Sequence, residues 1–446
     1  MPIIILTISL VLLLLFSYIT NKKNLFAPSF ICTASFLIGS VFLVLLEDEW
    51  RVSSINFETY FVIIFGLFSL WLGERLYANK VSIVPSQSLR ESYKAVKALH
   101  VSDKIVFFLI IVNFYVAYTY FKEVMAFMIF VDEWSESMAE YRMAIMTGEV
   151  SISRLVSQLR AITTASTYLF LFLFIHNIVK GDSFKNNHLY LLACIPHLII
   201  IFLTGGRIGY LSFAAIILWY IFILIASKLT KYQYSKFVYR FSRKAALFAG
   251  LLLLLFFSLR IVMGRSTTKE RTFTNYIGEY IGAPTLNLDY FISRHNPPNL
   301  IDYDFRKSTA LVGLSSFCYP NARNIPPKYG SRDMGFREGY GGAVFGNVYT
   351  AFARYYADFG YLGVFLFPFT LGAILMKVMS SALSKKTLFS KRYIFSVIVY
   401  AFFYNQLVIY AADDTFFGYF RPGNLEPLLL IFIANKYFVK VKTQYF

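Results

Sequence analysis

Apolar runs about as long as a membrane-spanning helix alternate along this chain with short polar stretches. A helix needs roughly 20 apolar residues to cross the hydrocarbon of a bilayer. Eleven segments fit: 2–20, 28–46, 57–77, 103–121, 155–179, 189–204, 208–227, 245–263, 361–382, 393–412 and 416–436. The last is the weakest, because "RPGNLEP" interrupts it, and the sixth and seventh meet at a very tight turn, "TGGR". The first run, "PIIILTISLVLLLLFSYIT", is longer than a secretory h-region and has neither a basic start nor a small-residue cleavage site. It therefore reads as a retained helix and not as a signal peptide. An amphipathic stretch surrounds "DEWSESMAEYRMAIMTGE". The pattern predicts an all-α, polytopic membrane bundle of about 11 transmembrane helices. Residues 1–263 supply eight helices with short loops, 264–345 one large extracytoplasmic loop, and 346–446 three helices and a cytoplasmic tail. Structureless loops of that length are uncommon. This one is rich in aromatic residues, glycine, proline and apolar pieces, so it is expected to pack on the outer face.

Composition supports the membrane reading: 57% of residues are hydrophobic and 15% charged, against roughly a quarter charged in soluble domains. Basic loops set orientation. Lys22–Lys23, the 78–102 segment, "KLTKYQYSKFVYRFSRK", "KKTLFSKR" and the tail "KYFVKVK" all fall on one side, which puts the N-terminus outside and the C-terminus in the cytoplasm. These loops account for the net charge of +18, so no nucleic-acid partner is expected. By this assignment the inner side holds 17 Lys and 4 Arg, the outer side 15 Arg and 4 Lys, and 21 of the 25 carboxylates lie outside. Topology explains the inner lysines but not the outer arginines. Pairing with outer carboxylates accounts for some of them. Those at span ends are candidates for an anionic ligand, since the guanidinium fork binds phosphate or carboxylate at two points. Cys32, Cys194 and Cys318 provide no disulfide framework, and only Cys318 would see the outside.

Several constellations could carry chemistry. "FLTGGRIGYLSF" places Arg207 beside a helix N-terminus at the outer mouth of two spans, which suits a phosphate or pyrophosphate. "FFSLRIVMGRSTTKERTF" adds Arg260, Arg265 and Arg271, and Arg160 lies about one turn inside the fifth span. From Arg271 the run also fits an Arg-ten residues-Gly spacing known in some polysaccharide polymerases, a pattern that such a loop matches easily by chance. The outer carboxylates open to acid–base work are Glu279, Asp289, Asp358 and the adjacent Asp413 and Asp414, at most one of which points into a site. Arg354 precedes Asp358 by four residues on a helical stretch and can pair with it. "IDYDF" holds an Asp-x-Asp (Asp302, Asp304), a pattern that some transferases use for a metal, but no metal is expected here. His295 is the one outer histidine, and His197 reads as a satisfied packing residue within a span. No Walker loop, Rossmann fingerprint, zinc pattern or Gly-x-Ser-x-Gly occurs, so nucleotide-driven transport and serine hydrolysis are excluded and no cofactor is expected.

With its long outer loop and "TGGRIGYLSF", the stretch "GNVYTAFARYYADFGYLG" resembles bacterial oligosaccharide repeat-unit polymerases, the Wzy-type enzymes of O-antigen and capsule assembly. The resemblance implies a multi-span, GT-C-like glycosyltransferase architecture in the bacterial cytoplasmic membrane. Its substrate would be a polyprenyl (undecaprenyl) pyrophosphate-linked oligosaccharide, and a chain-length regulator and a flippase of the same pathway would be partners alongside membrane lipids. On this reading Arg207, Arg260 and Arg265 hold pyrophosphate, with Arg271 and Arg160 as second choices. Arg354 and Asp358 organise the mouth. Asp358 is the first choice of base ahead of Glu279, and Asp413, Asp414 and His295 are held in reserve. A glycan ligase using the same lipid donor, a lipid-linked glycan flippase or transporter, and a non-catalytic scaffold remain as alternatives.

Overall fold

The structure, a computed structural model, describes residues 1–81, 96–128, 134–147, 150–204, 208–262, 272–295, 304, 307–308, 310–311, 318, 334–335, 337–340, 344–383, 390–413, 416–420 and 422–443. The chain runs through α1 (Ile3–Thr20), α2 (Pro28–Leu45), α3 (Glu47–Trp50), α4 (Phe57–Ala78) and β1 (Val96–His100). Next come α5 (Asp103–Met128), α6 (Trp134–Thr147), α7 (Arg154–Lys180), α8 (Phe184–Leu192), α9 (Ile195–Leu203), α10 (Ile208–Ala226) and α11 (Lys231–Val262). Then follow α12 (Phe273–Ile281), α13 (Ala283–Arg294), β2 (Arg337–Glu338), β3 (Val344–Gly346) and α14 (Ala351–Leu383). The chain closes with α15 (Lys391–Val408), a 3-10 turn at Phe417–Phe420, α16 (Pro422–Tyr437) and β4 (Lys440–Thr443).

Among the described residues, eight helical stretches are long and apolar enough to cross a membrane: α1, α2, α4, α7, α14, Asp103–Phe127, Phe184–Leu203 and Gly209–Ala226. The chain is therefore a multi-pass helical membrane protein. The other three expected segments are also helical. Residues 245–262 form the apolar second half of α11, and 393–408 lie in α15. Segment 416–436 differs, because it is split into the 3-10 turn and the 16-residue α16, which starts at Pro422. Proline tolerates the first helical turn and breaks a longer run.

Packing divides the chain into two compact units, each assembled from distant segments: Met1–Val81 with Arg271–Ser380 and Phe403–Pro422, and Ser82–Glu270 with Ser381–Phe402 and Gly423–Phe446. In the first unit α2 runs antiparallel to both α1 and α4. At one end, termed the loop face, Ser53 O accepts from Ile3 N at 3.2 Å. At the opposite end the fully buried Glu74 carboxylate accepts from Ser29 N (2.5 Å), Ser29 Oγ (2.7 Å) and Asn21 Nδ2 (2.9 Å). It thereby caps the open N–H groups at the start of α2 from a neighbouring helix. Along α4, a Cβ on Gly73 would meet the Phe369 carbonyl, and one on Gly372 the Leu70 carbonyl. Small residues are what let α4 and α14 approach so closely.

The second unit has its core where α5, α6, α7 and α9 meet, around Val116, Tyr120, Met138, Tyr141, Val156 and Ile200. The expected amphipathic stretch is α6: Met138, Tyr141 and Ala144 are buried while Glu136 and Glu140 are exposed. β1 and β4 pair antiparallel with Leu99 opposite Val441, which brings the 96–100 segment and the 440–443 tail to the same side. Asn177 satisfies the strand's free backbone, donating to Leu99 O at 2.8 Å and accepting from Leu99 N at 2.9 Å.

Candidate functional site

At the loop face of the first unit, two pieces of the long connecting segment turn back into the bundle. The first is the α12–α13 hairpin. Near the mouth, Trp50 Nε1 donates to Asn275 Oδ1 at 3.0 Å. The tip at Gly282 sits beside Gly39, where an added Cβ would lie 2.5 Å from Ile281 O. Gly39 is six residues before the end of α2, so the tip reaches about 9 Å into the bundle at 1.5 Å per residue. α13 then climbs back, and Asp289 Oδ1 accepts from Asn56 N (2.8 Å) and Thr59 Oγ1 (2.6 Å). The second piece enters through β3, where Phe345 packs on Trp50 with ring centroids 5.0 Å apart. It then descends until Phe352 meets Phe36 and Gly66. Residues 351–359 form a short helix running back toward the face. Gly360 breaks it with φ 57° and ψ −143°, and the full-length part of α14 descends beside α4, with Tyr361 against Phe61 and Phe365 against Phe65. A Cβ at that φ would be strained, which explains the glycine. Irregular backbone at membrane depth persists only where protein satisfies it. Asn287 does this, its Nδ2 donating to Phe345 O at 3.0 Å and to Val348 O at 2.8 Å.

The expected pair of Arg354 and Asp358 does not form. Asp358 is fully buried, and its Oδ2 accepts from Ser308 Oγ at 2.6 Å and from the Ala310 N–H at 2.7 Å. Arg354 instead pairs with Asp413 at 3.0 Å, and both side chains keep more than a third of their surface. The physical reason is desolvation. A guanidinium brought to Asp358 would be fully buried, whereas the Arg354–Asp413 pair keeps more than a third of each side chain accessible. Asp358 is thus an anchor for the connecting segment, and Arg354–Asp413 is the exposed charged pair of this face.

Three further arginines gather here, each on an aromatic ring. Arg51 lies 3.9 Å from the Tyr340 centroid, while Arg294 (4.0 Å) and Arg337 (3.5 Å) share the ring of Tyr290. Arg337 Nη1 also donates to Leu286 O (3.1 Å) and Asn287 Oδ1 (3.2 Å). Burial pulls the Arg337 guanidinium below its usual range, and Arg294 adds to this; Tyr349, Tyr290 and Asp289 oppose it. None of these three arginines has a carboxylate within ion-pair distance among the described residues.

The remaining expected residues are dispersed. Glu279 is buried on α12. His295 ends α13, its ring stacked on Phe291 at 4.4 Å and its Nδ1 3.0 Å from Phe291 O, as a packed helix terminus would be. Arg160 belongs to the second unit. There it is exposed, near Tyr141, whose hydroxyl is pushed up chiefly by burial and then by Tyr120 and Glu123, with Arg160 opposing. His197, expected to be satisfied, keeps a buried Nδ1 with no hydrogen-bond partner among the described residues. Arg207, Arg265, Arg271, Asp302 and Asp414 lie outside the described residues, as does the side chain of Arg260. Reasoning from sequence overlooked Arg294, Arg337 and Asn287. The available signal was "GAPTLNLDY", a glycine and proline opening a helix inside a segment read as loop.

Fold and site together define a class: a multi-pass helical membrane protein with a polar, arginine-bearing face made by two re-entrant pieces. Comparison of the chain with protein-family models, with curated proteins and with solved structures found no match to any of them.

Proposed function

We propose that the protein is a membrane glycosyltransferase that polymerises polyprenyl-pyrophosphate-linked oligosaccharide repeat units at the outer face of the bacterial cytoplasmic membrane. The observation that carries this reading is the loop face of the first unit. Protein folded back to membrane depth presents an exposed Arg354–Asp413 pair and, in the same unit, a group of arginines with no carboxylate partner among the described residues. A lipid-linked pyrophosphate leaving group lies at that depth. Arg51 and Arg354, cations on that face, would stabilise the charge that develops as the anomeric bond breaks. The acceptor hydroxyl must lose a proton, and Asp413, half-exposed, is better placed to take it than Asp358, whose oxygen is occupied by Ser308 and Ala310.

One feature favours a second reading. Broken helices and re-entrant pieces also build the substrate sites of secondary transporters, which would make the protein a lipid-linked glycan flippase. The test is surface-polysaccharide length in a deletion strain complemented with wild type, Arg354→Gln and Asp413→Asn at matched protein levels. Polymerisation predicts single repeat units on the final carrier in the deletion strain and in both variants. Repeat units that stay lipid-linked on the inner leaflet would make the protein a transporter instead.

A further inference from the structure

Tyr290 carries two guanidinium groups. With Arg294 at 4.0 Å and Arg337 at 3.5 Å from one ring centroid, the two like charges lie within about 7.5 Å of each other. Two like charges so close raise the affinity of the spot for an anion shared between them. Asp289, the carboxylate next to Tyr290 in the chain, acts on Arg337 through its charge but is not within ion-pair distance of either guanidinium, and its Oδ1 accepts from Asn56 N and Thr59 Oγ1. Arg337 is preorganised, because Nη1 is tied to Leu286 O and Asn287 Oδ1 while the ring supports the guanidinium plane. Its other edge has no hydrogen-bond partner among the described residues. Arg294 is exposed and, among the described residues, has no polar or ring partner besides Tyr290, so it can swing onto a ligand.

We propose that the Arg294–Tyr290–Arg337 stack binds a carboxylate-bearing sugar, and hence that the repeat unit this protein handles is acidic. This rests on the glycan reading above and names its substrate class. The ring faces are taken up by the guanidiniums, so recognition comes from charge and paired N–H donors and not from sugar stacking. An anion at the ring's edge meets one fixed and one movable guanidinium. The fixed one sets orientation, and the movable one closes over the ligand.

The test uses full-length protein in nanodiscs of neutral lipid, titrated with a tetrasaccharide of hexuronic acid, with a neutral tetrasaccharide of the same length, and with inorganic pyrophosphate. The acidic tetrasaccharide is expected to bind about tenfold more tightly than the neutral one, with the gap narrowing as salt rises. Arg294→Gln, at an exposed side chain whose partner among the described residues is the ring, is expected to lower affinity for the acidic sugar about tenfold while leaving the melting temperature unchanged. Arg337→Gln should lower it further, and Tyr290→Phe, which keeps the ring, should retain it. Equal binding of the two saccharides, or no effect of Arg294→Gln, overturns the acidic assignment and leaves the glycan reading standing. Tight, Arg294-dependent binding of pyrophosphate without the acidic sugar overturns it in favour of the lipid pyrophosphate. Binding of neither saccharide overturns the glycan reading itself.

Discussion

Asp358 and Arg354 sit one helical turn apart, yet each looks elsewhere. Burial matters here, because a carboxyl group with no solvent contact needs hydrogen-bond donors from the protein, and Ser308 and the Ala310 N–H supply them. Asp358→Asn can turn its amide oxygen to Ser308 and Ala310 but loses the carboxylate charge that strengthens both bonds. It should lower stability by about 1–3 kcal/mol, and Ser308→Ala by about 1 kcal/mol, read as melting temperature in detergent. If Asp358 were instead a freely accessible base, Asp358→Asn would abolish activity with its melting temperature intact. Arg354→Gln, at a pair that solvent already reaches, should change stability by less than about 1 kcal/mol, so any large loss of polymer in that variant reports on the site and not on folding.

The α12–α13 hairpin depends on contacts between backbones. A methyl group at Gly39 would press on the Ile281 carbonyl, and backbone cannot yield as a side-chain tip does. Gly39→Ala should therefore destabilise the protein by about 1–3 kcal/mol. Gly250→Ala, on α11 with nothing within 4 Å of the new Cβ, should leave stability unchanged or raise it, which makes it a matched control. Gly360→Ala should cost about 1–3 kcal/mol through backbone strain alone, since the break that turns α14 back into the bundle requires positive φ. A melting series across the three variants separates crowding from strain.

Across the whole chain, orientation is the open property with the simplest test. Cys32 and Cys194 are buried and Cys318 is exposed, so one native thiol reports on the connecting segment. An impermeant maleimide added to intact cells should label the wild type and fail to label Cys318→Ser. Labelling only after the cells are broken would reverse the orientation. The β1–β4 ladder makes a second check, because Leu99→Cys and Val441→Cys introduced together should cross-link on mild oxidation, whereas either alone should not. A cross-link would tie the tail to the 96–100 segment on one side, as the shared basic character of both already indicates.

The apolar runs of α1, α2, α4, α7 and α10 could be read from the chain because a span is a local property: some twenty consecutive side chains must suit hydrocarbon, and no distant partner changes that. The amphipathic α6 was readable for the same reason, its buried residues recurring at the helical period. The hairpin at Gly282 was not. Its residues are too polar for a span and too short for one, and only α2, more than two hundred residues earlier, makes their burial favourable. Arg354 and Asp413 lie 59 residues apart, and Arg337 and Asn287 lie 50 apart. Sequence could name the residue types that an anionic, lipid-borne substrate would need. Which of the arginines stand together, and which carboxylate is consumed in holding the fold, was decided by tertiary packing, because charge pairing depends on distance and burial in space and not on separation along the chain.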